Sequence, residues 1–548
     1  MEFLDYFSNV FTVYHIALLV GGTFAGIILG ALPGLSPTMS VALLIPFTFH
    51  MKPESGLILL GAMYTATVAG GAISAILVNV PGAPANIATA MDGHQMAKKG
   101  LSREALHYCF ISSFVGGIFG VFILIFFTPP LARLSLEFGT TELFWIAILG
   151  ITIIATIDSK SVVKGLLSGL LGLMLATIGD NPVLGVERFV FTDHLEGGVN
   201  IVVGLIGLFA MPQVLNLMEK YYSEKSAVLS TEGHSSLMQS FRFVFSKVKA
   251  LSIGSFIGSL VGIIPGAGGQ IAGLVAYDQT KKVSKNQSNY GKGEPEGIIA
   301  AESANNSMVG PSLIPLLTLS IPGSPTAAVL LGGLLIHGIF PGHEIFVSEN
   351  TAPVVWTFID SLILAQIFML IIGLFLSRHS GWIMKVPDNY MAVSILVLAV
   401  FGTYSIGNSY SDVIIMVVLG TIMFFASKAG FSAVPVVLGI ILGPIAENNF
   451  LLGKLIGGAR YGDDWMIYFT TGTINVTLIV ICIASITYGL YSNRKSKKKK
   501  DEAKSFDNLT NRSSKDDLEE HGRTIGIELD KRKSKKSLLK ELKDFVKK

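Results

Sequence analysis

The stretch Gly22-Thr23-Phe24-Ala25-Gly26-Ile27-Ile28-Leu29-Gly30-Ala31-Leu32-Pro33-Gly34 returns 232 residues later as Gly254-Ser255-Phe256-Ile257-Gly258-Ser259-Leu260-Val261-Gly262-Ile263-Ile264-Pro265-Gly266. Six of thirteen places agree, four Gly, one Phe and one Pro, which makes an internal repeat the reading to build on. Further along, residues 56–84 lie over residues 297–325 without a gap at a register of 241, and Pro81-Gly82-x-Pro84 falls on Pro322-Gly323-x-Pro325. The nine-residue difference between the registers gives the second half a longer loop.

The medium around these repeats follows from composition. Of 548 residues, 51% are hydrophobic and 14% charged, with a mean hydropathy of +0.59, so lipid is the main solvent of the chain. Apolar runs at 108–127, 197–211, 354–376, 390–407, 412–427 and 469–490 reach or approach the length of a membrane-crossing helix. The expected fold is an all-α polytopic membrane protein of roughly 10 to 14 membrane segments, some short or broken. Its 59 glycines suit closely packed or interrupted membrane helices. Cys109 and Cys482 lie in apolar segments and read as small buried residues. The start carries Glu2 and Asp5 and has no basic region before the first apolar run, so that run is expected to stay in the mature protein.

Charge divides the chain into parts. Residues 493–548 hold 19 Lys plus Arg against 11 Asp plus Glu, beginning with a basic run directly after an apolar segment. That places the tail on the cytoplasmic side by the positive-inside rule, and its acid-interrupted composition reads as a flexible extension with no nucleic-acid partner. The expected organisation is a first membrane half at 1–218, a cytoplasmic connector at 219–249, a second half at 250–491 and a basic tail at 492–548. Equivalent loops carry opposite charge. Residues 278–296 contain Lys281, Lys282, Lys285 and Lys292, whereas their first-half counterpart has only Lys52. The next pair reverses the bias, with Lys98, Lys99 and Arg103 against a stretch at 337–350 that has Glu344 and Glu349 but no Lys or Arg. Two inverted repeats are therefore expected.

Pro33-Gly34, Pro81-Gly82, Pro265-Gly266 and Pro322-Gly323 occupy corresponding places and should interrupt helices at membrane depth. Backbone freed there has to be buried in protein or line a watery cavity. New helices are expected after each break, since Ser36-Pro37, Pro84, Gly268-Gly269-Gln270 and Ser324-Pro325 follow, and Ser caps while Pro opens a helix. Helix N-termini converging near the midplane would bind an anion such as a carboxylate without a Lys or Arg. The expected substrate-binding residues are Gly34, Ser36, Thr38, Asn79, Gly82 and Asn86 in the first half. In the second they are Gly266, Gly268, Gly269, Gln270, Gly323, Ser324 and Thr326.

Asn305, Asn306 and Ser320 are the expected coupling-ion residues. Consecutive buried amides need partners, and these would either help coordinate sodium or bond the broken backbone. Glu302 reads as lying near the cytoplasmic surface beside Glu294 and Glu296, with a coupling proton as the other reading. His15, His337 and His343 lack partners at metal-ligand spacing, so neither a catalytic metal nor a cofactor is implied. A membrane-embedded enzyme would need a clustered nucleophile, metal set or acid-base pair in the apolar segments, and a scaffold would leave the repeated midplane breaks without a reason.

With those residues in view the chain resembles the large permease subunit of the tripartite tricarboxylate transporters, the TctA family. The matching stretches are Gly-Ala-Leu-Pro-Gly-Leu-Ser-Pro (30–37), Leu-Val-Asn-Val-Pro-Gly-Ala-Pro-Ala (77–85) and Met-Asp-Gly-His-Gln-Met-Ala (91–97), followed in the second half by Gly-Ile-Ile-Pro-Gly-Ala-Gly-Gly (262–269), Tyr-Gly-Lys-Gly-Glu-Pro-Glu-Gly (290–297) and Ser-Ile-Pro-Gly-Ser-Pro-Thr-Ala (320–327). The resemblance covers about residues 10–490 and leaves out the basic tail. It implies a multi-pass protein of the plasma or inner membrane that moves small di- or tricarboxylates by symport with sodium ion or proton. It also implies a small membrane subunit and an extracytoplasmic solute-binding protein as partners. Ser36-Pro37 stands where family members often have Gly-Pro, and with the tail it leaves substrate and regulation open.

Overall fold

The computed structural model describes residues 5–158, 161–181, 185–192, 195–219, 236–266, 268–383 and 386–507, with isolated positions in the tail. Most of the expected connector, most of the tail and Ala267 lie outside the described residues. Residues Met1–Cys482 form one compact unit and Ile483–Lys548 another.

The first half runs α1 (Val13–Ala31), α2 (Pro37–Thr48), α3 (Pro53–Val78), α4 (Ile87–Lys98), α5 (Ser102–Leu134), α6 (Thr140–Asp158), α7 (Val162–Ala176) and α8 (Ile201–Glu219). Two helices then lead into the second half, α9 (Leu237–Ser246) and α10 (Val248–Ile263), bent by 73° at their junction. The second half continues with α11 (Gly268–Val283), α12 (Pro295–Ser307), α13 (Leu313–Leu319), α14 (Pro325–Ile336), α15 (Ala352–Ser377), α16 (Asp388–Gly407), α17 (Tyr410–Lys428) and α18 (Ala433–Tyr461). After it comes α19 (Thr473–Asp507). Among the described residues, nine helices are long and apolar enough to cross a membrane, ten if the bent pair forms one span, and four shorter apolar helices accompany them. The chain is an all-α polytopic membrane protein, and the short helices explain why a count from sequence spread so widely.

The repeat is a repeat of backbone. A Cβ on Gly22, Gly26 or Gly30 would run into the carbonyls of Leu59, Met63 and Thr67 on α3, and one on Gly254, Gly258 or Gly262 would run into those of Ala300, Ala304 and Met308. The second set is the first shifted by the two registers read from sequence. Each glycine lets one helix lie directly on its neighbour's backbone. α1 and α10 end alike, with Leu32 N–H donating to Leu29 O at 3.2 Å and Ile264 N–H to Val261 O at 3.1 Å. Gly34 (φ +91°) and Gly266 (φ +75°) then turn the chain through a conformation other residues resist.

The halves are inverted. His94 Nδ1 donates to Ile76 O near the end of α3 at 2.9 Å, while Asp92 accepts from Gly293 N–H at 2.7 Å and Glu294 N–H at 2.8 Å at the start of α12. The end of α3 and the start of its counterpart α12 therefore share one end of the molecule. The halves also interlock: α5 packs along α12 and α15 along α3, while α8 lies against α16 and α17 as α18 lies against α6 and α7.

The latch at that end is well built. Asp92 is buried and accepts a third bond from Tyr277 Oη at 2.7 Å, and Lys99 Nζ donates to Lys292 O at 2.6 Å. Burial works against the charge of Glu296, but the Lys247 ammonium 2.8 Å away and the hydroxyls of Ser284 and Tyr290 hold its carboxyl below the usual range.

Candidate functional site

Between the two halves lies a cavity of about 390 Å³. Four chain breaks supply its polar rim. Ser36, Pro37 and Thr38 open α2, Gly268, Gly269 and Gln270 open α11, and Ser324, Pro325 and Thr326 open α14. Ala83, Pro84 and Ala85 lead through a short 3-10 turn, Pro84–Asn86, into α4. Two serines cap their helices as expected, Ser36 Oγ accepting from Met39 N–H at 3.3 Å and Ser324 Oγ from Ala327 N–H at 3.1 Å. Each start leaves further N–H groups without an intrahelical partner, together with the positive end of the helix dipole.

The tips are held by backbone. Gly82 N–H donates to Gly71 O at 3.2 Å and Gly323 N–H to Ser312 O at 3.1 Å, the same bond in both halves. Asn79 (φ 56°) and Ser320 (φ 59°) end the preceding helices in the left-handed conformation. Cross-links between halves close the arrangement: Tyr64 Oη shares hydrogen bonds with Ser324 Oγ at 2.8 Å and Ser312 Oγ at 3.1 Å, and Thr38 Oγ1 lies 3.1 Å from Thr326 Oγ1.

Of the residues expected at the site, Ser36, Thr38, Gly266, Gly268, Gly269, Gln270, Ser324, Thr326 and Asn305 line the cavity. Gly34, Gly82 and Gly323 lie behind the rim and shape it, and Asn79 and Ser320 terminate helices outside it. Asn86 is turned away, donating to Val68 O and Glu302 Oε1, both at 3.3 Å. Asn306 is buried beside Asn305 without lining the cavity. Tyr64, Val68, Phe209, Met308 and Val434 line it and were not anticipated. Tyr64 was within reach, because the register of 241 that aligns the halves puts it on Asn305.

The surface reading of Glu302 is overturned, because it is 0% exposed. Its Oε1 accepts from Thr89 Oγ1 and Asn86 Nδ2, its Oε2 from Ser113 Oγ at 3.0 Å, and the Cys109 thiol is a further partner. Acidic neighbours in sequence suggested exposure, but the helix carries Glu302 two turns inward from Glu294.

Among the described residues, no Lys, Arg, His, Asp or Glu lines the cavity. What the lining residues offer is hydroxyls, the two carboxamides of Gln270 and Asn305, helix N-termini and apolar walls.

Inverted halves, broken helices and a central cavity define a class of membrane protein whose site is made at the meeting of two repeats. The model of the Tripartite tricarboxylate transporter TctA family matches residues 16–438, and the chain belongs to that family. It is also 32% identical over 496 residues to an uncharacterized 52.8 kDa protein encoded in the TAR-I ttuC' 3' region of Agrobacterium vitis, covering 90% of this chain and 97% of that one. A second protein of Agrobacterium vitis, uncharacterized and from the TAR-II ttuC' 3' region, is 31% identical over 241 residues, 44% of this chain and 97% of its own length.

Proposed function

We propose that this chain is the large subunit of an ion-coupled carrier that moves small, citrate-like di- or tricarboxylates into the cell. A solute-binding protein delivers the substrate and a small membrane subunit completes the assembly. The observation that carries the reading is the convergence of four helix starts on a cavity lined by no charged side chain. Each helix N-terminus is worth roughly half a positive charge, so four together offer about two, enough to balance a dicarboxylate. Ser36, Thr38, Gly268, Gly269, Gln270, Ser324 and Thr326 contact the substrate, with Gly34, Asn79, Gly82, Asn86, Gly266 and Gly323 shaping or bracing the rim. Sodium ion or proton couples near Asn305, Asn306 and Ser320. The halves at 1–218 and 250–491 alternate access about the cavity in the cell membrane, with the connector and tail in the cytoplasm.

The test is uptake of labelled di- and tricarboxylates by cells expressing the chain with its partner subunits, with and without a sodium gradient. Accumulation of one compound that depends on the sodium or proton gradient is the expected result. No accumulation of any, with all subunits verified in the membrane, rejects the carboxylate reading.

A further inference from the structure

Behind the cavity wall lies a set of polar atoms that the carboxylate site does not use. Thr65 Oγ1 and both side-chain polar atoms of Asn306 and Gln366 are buried and find no hydrogen-bond partner among the described residues. Leaving one such group unsatisfied costs about 1–3 kcal/mol, and satisfaction is the rule in folded proteins. Three such side chains are a reason to ask what meets them.

They sit on three helices that meet around α5: α5 packs on α12 and on α15, and α3 packs on the same two. A Cβ on Gly116 or Gly120 of α5 would run into the carbonyls of Ser303 and Ser307, so α5 rests on the very turn of α12 that carries Asn306. Within the same turn of α5, a Cβ on Gly117 would run into the Gln366 carboxamide of α15. α3 and α15 start side by side, since Ser55 and Val354 line a common pocket, and Gly61 packs against Phe358 and Leu362. Thr65, one turn beyond Gly61, thus reaches the level of Gln366. Thr65 and Asn306 are also equivalents in the register of 241, each directly following a residue, Tyr64 or Asn305, that lines the cavity.

We infer that a sodium-sized cation binds between α3, α12 and α15 on the oxygens of Thr65, Asn306 and Gln366. Hydroxyl and carboxamide oxygens suit a hard monovalent cation. The break between α12 and α13, at residues 308–312, begins directly after Asn306 and its helical turn, where backbone carbonyls leave the regular ladder. The set has no formal charge of its own. A carboxylate in the adjoining cavity would supply it, so that each ligand favours the other. The inference rests on the carrier reading and names its coupling ion.

The test is thermal unfolding of the purified chain in detergent, without carboxylate, in sodium chloride against choline chloride at equal ionic strength. Sodium raises the unfolding temperature of the wild type saturably. Thr65→Val, Asn306→Leu and Gln366→Met keep the volume and remove the oxygens, so in choline they unfold at or above the wild-type temperature. In sodium they need at least about tenfold more salt for the same stabilisation, the scale on which altered metal sites lose affinity. Absence of a sodium effect on the wild type, or an unchanged effect in all three variants, overturns the site and leaves ordered water as its occupant. Stabilisation by citrate is measured in parallel: citrate without sodium leaves the carrier standing and removes this site, and sodium without citrate does the reverse.

Discussion

Cells expressing the Gly323→Leu chain with its partner subunits take up no labelled carboxylate above background, although the protein reaches the membrane in near-normal amount. A Cβ at this position meets the Gly262 carbonyl, with Ser312 Cα at 2.7 Å and Ser312 O at 2.9 Å. All three are backbone atoms, and Gly323 N–H is itself bonded to Ser312 O. Overpacking costs about 1–3 kcal/mol where side chains can yield, and here none can rotate away, so the upper end applies. About 3 kcal/mol reduces the correctly formed tip roughly a hundredfold. Gly82→Leu fails for the equivalent reason, against Gly30 O and Gly71 Cα at 2.8 Å. Gly21→Ala, where nothing lies within 4 Å of a new Cβ, keeps wild-type uptake as the control. Wild-type uptake by both leucine variants would remove the broken tips from the mechanism.

Much of this arrangement was legible because small residues carry it. Where two backbones touch, only Gly serves, so the contacts of α1 on α3 and of α10 on α12 were written as a spaced pattern that a second copy made visible. The helix starts at Ser36 and Ser324 were legible for the same kind of reason, since caps are local chemistry. Contacts between distant helices left no such mark. Phe209 and Val434 reach the cavity from α8 and α18, and in an apolar segment one Phe or Val reads like any other. Asn86 was expected among the substrate-binding residues from its place beside the break, but its direction depends on Glu302, 216 residues away.

The interlocking of the halves constrains how the cavity opens. α5 and α15 each belong to one half yet pack on α12 and α3 of the other, and α8 and α18 cross over in the same way. A movement that separated the halves as rigid blocks would expose all four crossings. The bonds of Asp92 to Gly293 and Glu294 N–H tie the halves together at one end as well.

Glu302→Ala should yield a chain that unfolds at a clearly lower temperature than the wild type in detergent and runs largely as aggregate on size exclusion. The carboxylate reaches from the second half to donors of the first: Asn86 and Thr89 next to the first-half tip, and Ser113 with Cys109 on α5. Removing it orphans those buried donors at about 1–3 kcal/mol each and leaves a cavity, so the loss reaches the order of 5 kcal/mol. That is comparable to the whole stability of many folded proteins. Glu302→Gln retains one carbonyl oxygen for Thr89 and Asn86 and turns its NH₂ toward Ser113, whose oxygen accepts it. Its loss is confined to about 1–2 kcal/mol, and it elutes as a folded species. A Glu302→Ala chain as stable as the wild type would mean that these donors find other acceptors and that the tip at Ala83-Pro84-Ala85 is braced by something other than α12.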